Sequence, residues 1–281
     1  MPDFDYYNVS MKVTFLGSGT GIPYTRRASP GILVESGNIR LLMDSGPGAL
    51  RQLAQLGINS HQISHLLYTH FHPDHTSDLI TFLFTARYQI TSPLKNGLTR
   101  ATQKFINSHK TGFRTAPLTI IAPKGLNKFY RNILNLYYKW IVPTTYKLTL
   151  KEVLESSFKV GNLNIKSSEM KHEKYSVGYR LTTPGGKSLV YSGDTEYCPN
   201  IVRLAKNSDV LVLEASAPDE VAMPYHLRPL TSARIASEVN PRKLILTHLY
   251  PVCDEHNITN QVHSHWPGKV ETALDFKSFK L

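Results

Sequence analysis

The stretch LLYTHFHPDHTSDL, residues 66–79, places His70, His72, Asp74 and His75 within six positions. Three imidazoles and a carboxylate are the donor types of a zinc or iron site. In an extended chain, residues two apart leave on the same side, so His70 and His72 can reach one ion together. Pro73 then bends the path. Asp74 and His75 fall at the start of a predicted helix, where they point at a neighbouring position, so two ions are implied. A lone histidine after a strand is most often structural, but four donors crowded together argue for metal.

Other side chains of the same chemistry close apolar runs further along. LLYTH ends in His70, SSEMKH in His172, LVYSGD in Asp194 and LILTH in His248, and VLVLEA carries Glu214. In α/β folds, ligands gather at the carboxyl ends of strands. Five runs ending this way predict one shared centre.

The elements that must position these residues follow from the pattern. KVTFLGSG, GILVES, IRLLMDSG and HLLYTH crowd the first quarter, and LNIKSSEMKH, YSVGYRLTT, SLVYSGD, DVLVLEA and KLILTH fill the last 120 residues, all reading as strands. GALRQLAQLG reads as a helix closed by Gly57, and TSARIASEVNP as one that starts at a Ser/Thr cap and stops before Pro241. Meandering strands with interspersed helices predict two stacked sheets covered outside by helices.

HFHPDH matches the His-x-His-x-Asp-His motif of the metallo-β-lactamase fold superfamily, and His172, SGDT with Asp194, and LTHL with His248 match its later motifs in order. FLGSGTGIPYTRRASPGILVE, LLMDSGPGALRQL and LEASAPDE…YHLRPLTSARIASE resemble its ribonuclease Z and phosphodiesterase branch. The resemblance implies an α/β chain of the α+β type, a four-layer αββα sandwich. It also implies that His70, His72 and His172 hold one divalent ion and Asp74, His75 and His248 a second, with Asp194 bridging. Zinc is expected, with manganese or iron as alternatives. Two such ions about 3.5–4 Å apart deprotonate a shared water and neutralise charge on a phosphoryl group under attack. Glu214 and His226 match the branch's acid pair, the Glu orienting the imidazole that protonates the leaving oxygen. Catalysis is thus assigned to Asp74, Glu214 and His226. Asp44 matches an acidic position that supports the first loop. LGSGTGIP reads either as a tight turn or as backbone for a substrate phosphate.

Length and composition bound the partners. The 281 residues, 41% hydrophobic and 19% charged, suit one folded domain over 1–281 with a basic insertion at 91–117. No apolar run nears the roughly 20 residues that cross a bilayer, and no signal-peptide order opens the chain, so a cytoplasmic protein without a membrane role is expected. Cys198 and Cys253 are expected as free thiols. The formal charge of +11 favours an anionic partner. The aromatics of 129–140 recur at helical spacing and predict a core-facing stripe rather than a stacking surface for nucleic acid. His61, His65, His109, His256, His263 and His265 lie outside the motifs, and the His263 and His265 pair, without a second cluster of donors, reads as surface.

The expected substrate is an anionic phosphodiester, with RNA a candidate, and the resemblance admits a homodimer. Carbonyl ester, thioester or lactone hydrolysis is the alternative on the same fold, and a non-catalytic electron-transfer use a third. Two departures weigh against tRNA processing. Only a hairpin-sized segment separates His172 from Asp194, where the branch carries a tRNA-gripping arm, and its Pro-x-Lys-x-Arg-Asn loop is PYTRRA here.

Overall fold

The computed structural model describes residues 10–87 and 113–281. In a first sheet, β1 (Met11–Gly17), β2 (Gly31–Ser36), β3 (Ile39–Met43), β4 (His65–Leu67), β5 (Leu118–Pro123) and β6 (Leu148–Val153) lie side by side in chain order. In a second, β7 (Ser156–Val160), β8 (Leu163–Glu169), β9 (Val177–Thr182), β10 (Ser188–Tyr191), β11 (Val210–Glu214), β12 (Lys243–Thr247) and β13 (Val270–Thr272) do the same, while β14 (Ser278–Lys280) returns to the first sheet beside β1.

Period-2 alternation splits each strand between two layers. Leu41, Met43, Val212 and Ile245 enter the core between the sheets. Their neighbours Leu211, Leu213, Leu244 and Leu246 face the helices Pro199–Ala205, Pro229–Val239 and Ile258–His263. Leu42, Leu66 and Ile120 likewise pack under the helices Ala49–Gln55, Asp78–Thr85 and Leu126–Ile141. The result is the four-layer αββα sandwich, with strands such as β11 buried on both faces.

Strand direction explains where chemistry gathers. β4 is parallel to β3 and β5, and β10, β11 and β12 are mutually parallel. β8 is antiparallel to β9, which is antiparallel to β10, so β8 ends at the same edge as β10. At that edge the sheets are clasped by backbone: Val177 N–H donates to Thr69 O and Leu249 N–H to Ser18 O.

Some expectations are corrected. The helix expected from Thr231 begins at Pro229, because proline is well placed at a first helical position. The aromatic stripe of 129–140 does not stay in the core: Leu126, Ile133 and Ile141 are buried, but Leu136 is 78% exposed and Tyr138 70%. The backbone leaves helical geometry at Tyr137 (φ −122°, ψ 17°), which breaks the spacing that would have carried the stripe inward.

Of the basic segment 91–117, residues 91–112 lie outside the described residues. Its end is no surface cation. Arg114 is buried and donates to Ser60 O, Ile63 O, Ala116 O and Pro117 O at 2.7–2.9 Å, with its guanidinium 5.2 Å from the Tyr146 ring centroid. Arg114→Ala leaves these carbonyls unmet and is expected to cost about 3 kcal/mol, read as a lower urea midpoint. An unchanged midpoint would refute this role.

Cys198 and Cys253 are unpaired and buried. The Cys253 thiol donates to Ser216 O at 3.4 Å, and burial pushes its pKa up to about 12. Thiolate is the reactive form, so iodoacetamide at pH 8 is expected to spare Cys253 in the native protein and label it after unfolding. Native labelling in a peptide map would contradict this.

Candidate metal centre

The seven expected donors converge at the clasped edge, arriving from both sheets. His70 and His72 follow β4, and Asp74 and His75 sit in the short helix Pro73–Thr76. His172 follows β8, Asp194 follows β10 and His248 is the residue after β12. His70, His72, His172 and Asp194 form one group with potential donor atoms all within 4.8 Å of one another, and Asp74, His75 and His248 form a second. The strands stop earlier than the apolar runs suggest: β4 ends at Leu67, so a short loop rather than the strand presents His70.

The spacing of the donors suits a shared cation. Four ligands on a tetrahedron of zinc–nitrogen radius stand about 3.3 Å apart. His72 Nδ1 is 3.3 Å from His172 Nε2, and His248 Nε2 is 3.4 Å from Asp74 Oδ2 and 3.3 Å from Asp194 Oδ2. His75 Nε2 lies 3.4 Å from Asp194 Oδ1. Asp194 Oδ2 also stands 3.8 and 3.9 Å from the Nε2 atoms of His70 and His172, so this carboxylate borders both groups.

The opposite ring nitrogens decide which atoms face the cluster. Asp44 is fully buried and accepts from Thr69 N–H, Thr69 Oγ1, Tyr191 O–H and His75 Nδ1, the last at 2.9 Å. Because the Thr69 hydroxyl donates to Asp44, it accepts from His70 Nδ1 at 3.0 Å. His172 Nδ1 donates to Tyr225 O at 3.0 Å. The Nε2 atoms of His70, His75 and His172 are therefore the bare ones, as metal ligands require.

Glu214 repeats the device from the second sheet. It is buried, its Oε2 accepts from His226 Nδ1 at 2.7 Å and from Ser216 Oγ at 2.6 Å, and its Oε1 accepts from Thr195 N–H. Ser216 Oγ in turn accepts from His248 Nδ1 at 3.0 Å. His226 Nδ1 reaches within 4.0 Å of Asp194 Oδ2, and its ring stacks on His248 with centroids 5.5 Å apart. Asp194, His226 and His248 could form a third donor group, but the Glu214 bond already engages His226 Nδ1.

Electrostatics divide the cluster. Burial opposes a charge on His75, but the carboxylates of Asp194 and Asp44 outweigh it and raise its pKa well above the usual imidazole value. Burial, reinforced by His75, lowers that of His70 well below it. For His226, burial is likewise outweighed by the Glu214 hydrogen bond and charge, and its pKa is raised. Asp194 is pushed up by burial but held well below the carboxylate range by His248 and His75. His70 Nε2, His75 Nε2 and Asp194 Oδ1 are buried without a hydrogen-bond partner, all within the cluster. Orphaned buried donors of these types fit divalent cations.

The glycine-rich loop passes beside the centre for want of space rather than for its backbone angles. A Cβ on Gly17 would stand 1.9 Å from Ser29 O, and one on Gly21 3.1 Å from Asp74 Cβ. Thr69, Tyr191, Thr195 and Ser216 were not expected from the sequence, although Ser216 lies two residues beyond Glu214, on the same side of an extended chain. His61, His65, His256, His263 and His265 join no donor group among the described residues.

Comparison with known proteins agrees with this arrangement. Residues 39–249 match the model of the β-lactamase superfamily domain. Ribonuclease Z of Mycolicibacterium gilvum is 29% identical over 263 residues, covering 86% of this chain and 85% of the relative. The metallo-β-lactamase fold protein YhfI of Bacillus subtilis superposes with a TM-score of 0.75 at 23% identity, over 97% of this chain and 100% of that one. The short form of human tRNase Z superposes at 0.66 with 22% identity, over 95% and 98%. With donors, sandwich and motif order in agreement, this chain belongs to the metallo-β-lactamase fold superfamily, and its relatives include ribonuclease Z.

Proposed function

We propose that this protein is a dinuclear metal-dependent phosphodiesterase, a nuclease of the ribonuclease Z kind. His70, His72 and His172 would hold one ion and Asp74, His75 and His248 the other, with Asp194 available to both; zinc is the first candidate, manganese or iron the alternatives. Bound there, such ions supply a water-derived nucleophile near neutral pH and Lewis acidity toward a phosphoryl oxygen. The observation that carries the reading is the 2.7 Å bond between Glu214 and His226, which sets an imidazole within 4.0 Å of Asp194.

His226 holds the proton that the departing alcohol needs. Glu214 fixes its tautomer, so that Nε2 carries out the transfer while Nδ1 stays bonded. Asp74, whose carboxylate is 20% exposed, orients the attacking water. The ribonuclease Z relative and the net charge of +11 support an anionic substrate, RNA included. The β9–β10 hairpin closes through residues 183–187 and leaves no room in sequence for a tRNA-gripping arm, which favours small or single-stranded diesters over folded tRNA. Among the described residues, no helix is long and apolar enough to cross a membrane. A cytoplasmic homodimer completes the reading.

The test is turnover of zinc- or manganese-loaded protein on 3′-extended tRNA and on a chromogenic diester, with His72→Ala as control. Turnover lost together with metal content in the variant is expected. Silence on both diesters with activity on lactones or thioesters would overturn the proposal.

A further inference from the structure

Beside the His72 and His172 end of the centre, two loops meet. Lys124 follows β5, and the turn after His172 carries Lys174 and Tyr175, closed by Ser176 N–H donating to Glu173 O. The Lys124 and Lys174 ammoniums stand 5.6 and 5.0 Å from the Tyr175 ring centroid. Both distances fall within cation–π range. Phe71, between His70 and His72, stacks on Phe129 at 4.8 Å, and a Cβ on Gly125, the residue after Lys124, would meet its ring at 3.6 Å, so this rim adjoins the donor cluster.

Two features mark the place as more than a solvated edge. Tyr175 holds φ 71°, a left-handed angle that is rare for a bulky side chain and that concentrates at functional positions. Neither lysine has a carboxylate within 4 Å among the described residues, although Glu173 adjoins Lys174 and Glu152 lies in the field of Lys124. Two ammoniums within 6 Å of one aromatic ring offer contacts to a phosphate, and a base that takes the ring face from an ammonium gains a stacking surface.

We infer that Lys124, Lys174 and Tyr175 form a subsite for a second, non-scissile phosphate and its base in a single-stranded nucleic acid. The inference rests on the phosphodiesterase reading and narrows it, because a lone diester with one phosphate cannot fill this site. The proteins to compare are wild type, Lys124→Gln/Lys174→Gln and Tyr175→Asn, the last because asparagine tolerates a left-handed backbone. Each is assayed on a uridine hexanucleotide and on bis-p-nitrophenyl phosphate, and hexanucleotide binding is followed by anisotropy across a salt series. The preference for the hexanucleotide over the small diester is expected to fall about tenfold in each variant, through KM rather than kcat. The lysine variant should also flatten the salt slope by about 0.7. An unchanged preference together with an unchanged slope overturns the subsite. If wild type cleaves neither compound the proposed function fails, and the slope alone then decides: flattening supports the subsite and parallel lines reject it.

Discussion

His226→Ala is expected to lower kcat on a diester with an alcohol leaving group by about a hundredfold to ten-thousandfold, the range that a placed general acid contributes. The imidazole is fixed at 2.7 Å by a fully buried carboxylate, and no other described histidine pairs with Glu214 so closely. The loss should shrink on a p-nitrophenyl ester, whose leaving group departs without a proton. Metal content should hold. His226 could alternatively complete a donor group with Asp194 and His248, and that role predicts loss of metal and an equal loss of rate on both esters. Metal analysis beside kinetics on the two substrates separates the cases.

Asp44→Asn is expected to weaken metal binding about 10- to 100-fold, the usual effect of removing a carboxylate behind a ligating histidine. Asp44 is fully buried and receives donors from Thr69, His75 and Tyr191. An asparagine offers one acceptor oxygen where two are in use, and its amide hydrogens oppose donors. His75 loses its direct partner, whereas His70 loses only the support of Thr69. The ion of the Asp74, His75 and His248 set should therefore leave first in a chelator competition. Simultaneous release of both ions, or unaltered affinity, would show that Asp44 does not orient His75.

The sequence makes the donors legible because their spacing is local. HFHPDH declares four of them in six positions, and the apolar runs before His172, Asp194 and His248 place the rest at strand ends. What holds those rings in orientation is less visible. Tyr225 acts through a backbone carbonyl, which no residue type announces, and Ser216 serves His248 across 32 positions of chain. Arg114 looks like one more surface cation in a basic stretch until four carbonyls are found around it. The aromatic stripe of 129–140 misleads for a different reason, since a periodicity argument presumes an unbroken helix and Tyr137 interrupts this one. The glycines of LGSGTGIP announce a backbone constraint without saying whether it concerns angle or space.

The clasped edge has a mechanical consequence. His70, His72, Asp74 and His75 come from the first sheet and His172, Asp194 and His248 from the second, so each donor group draws on both. Neither half of the sandwich can assemble a coordination sphere alone. Ions seated there would act as rivets across the seam, their binding energy serving at once as adhesion between the sheets. The edge that gathers the donors is then also the edge along which the two halves are hardest to peel apart.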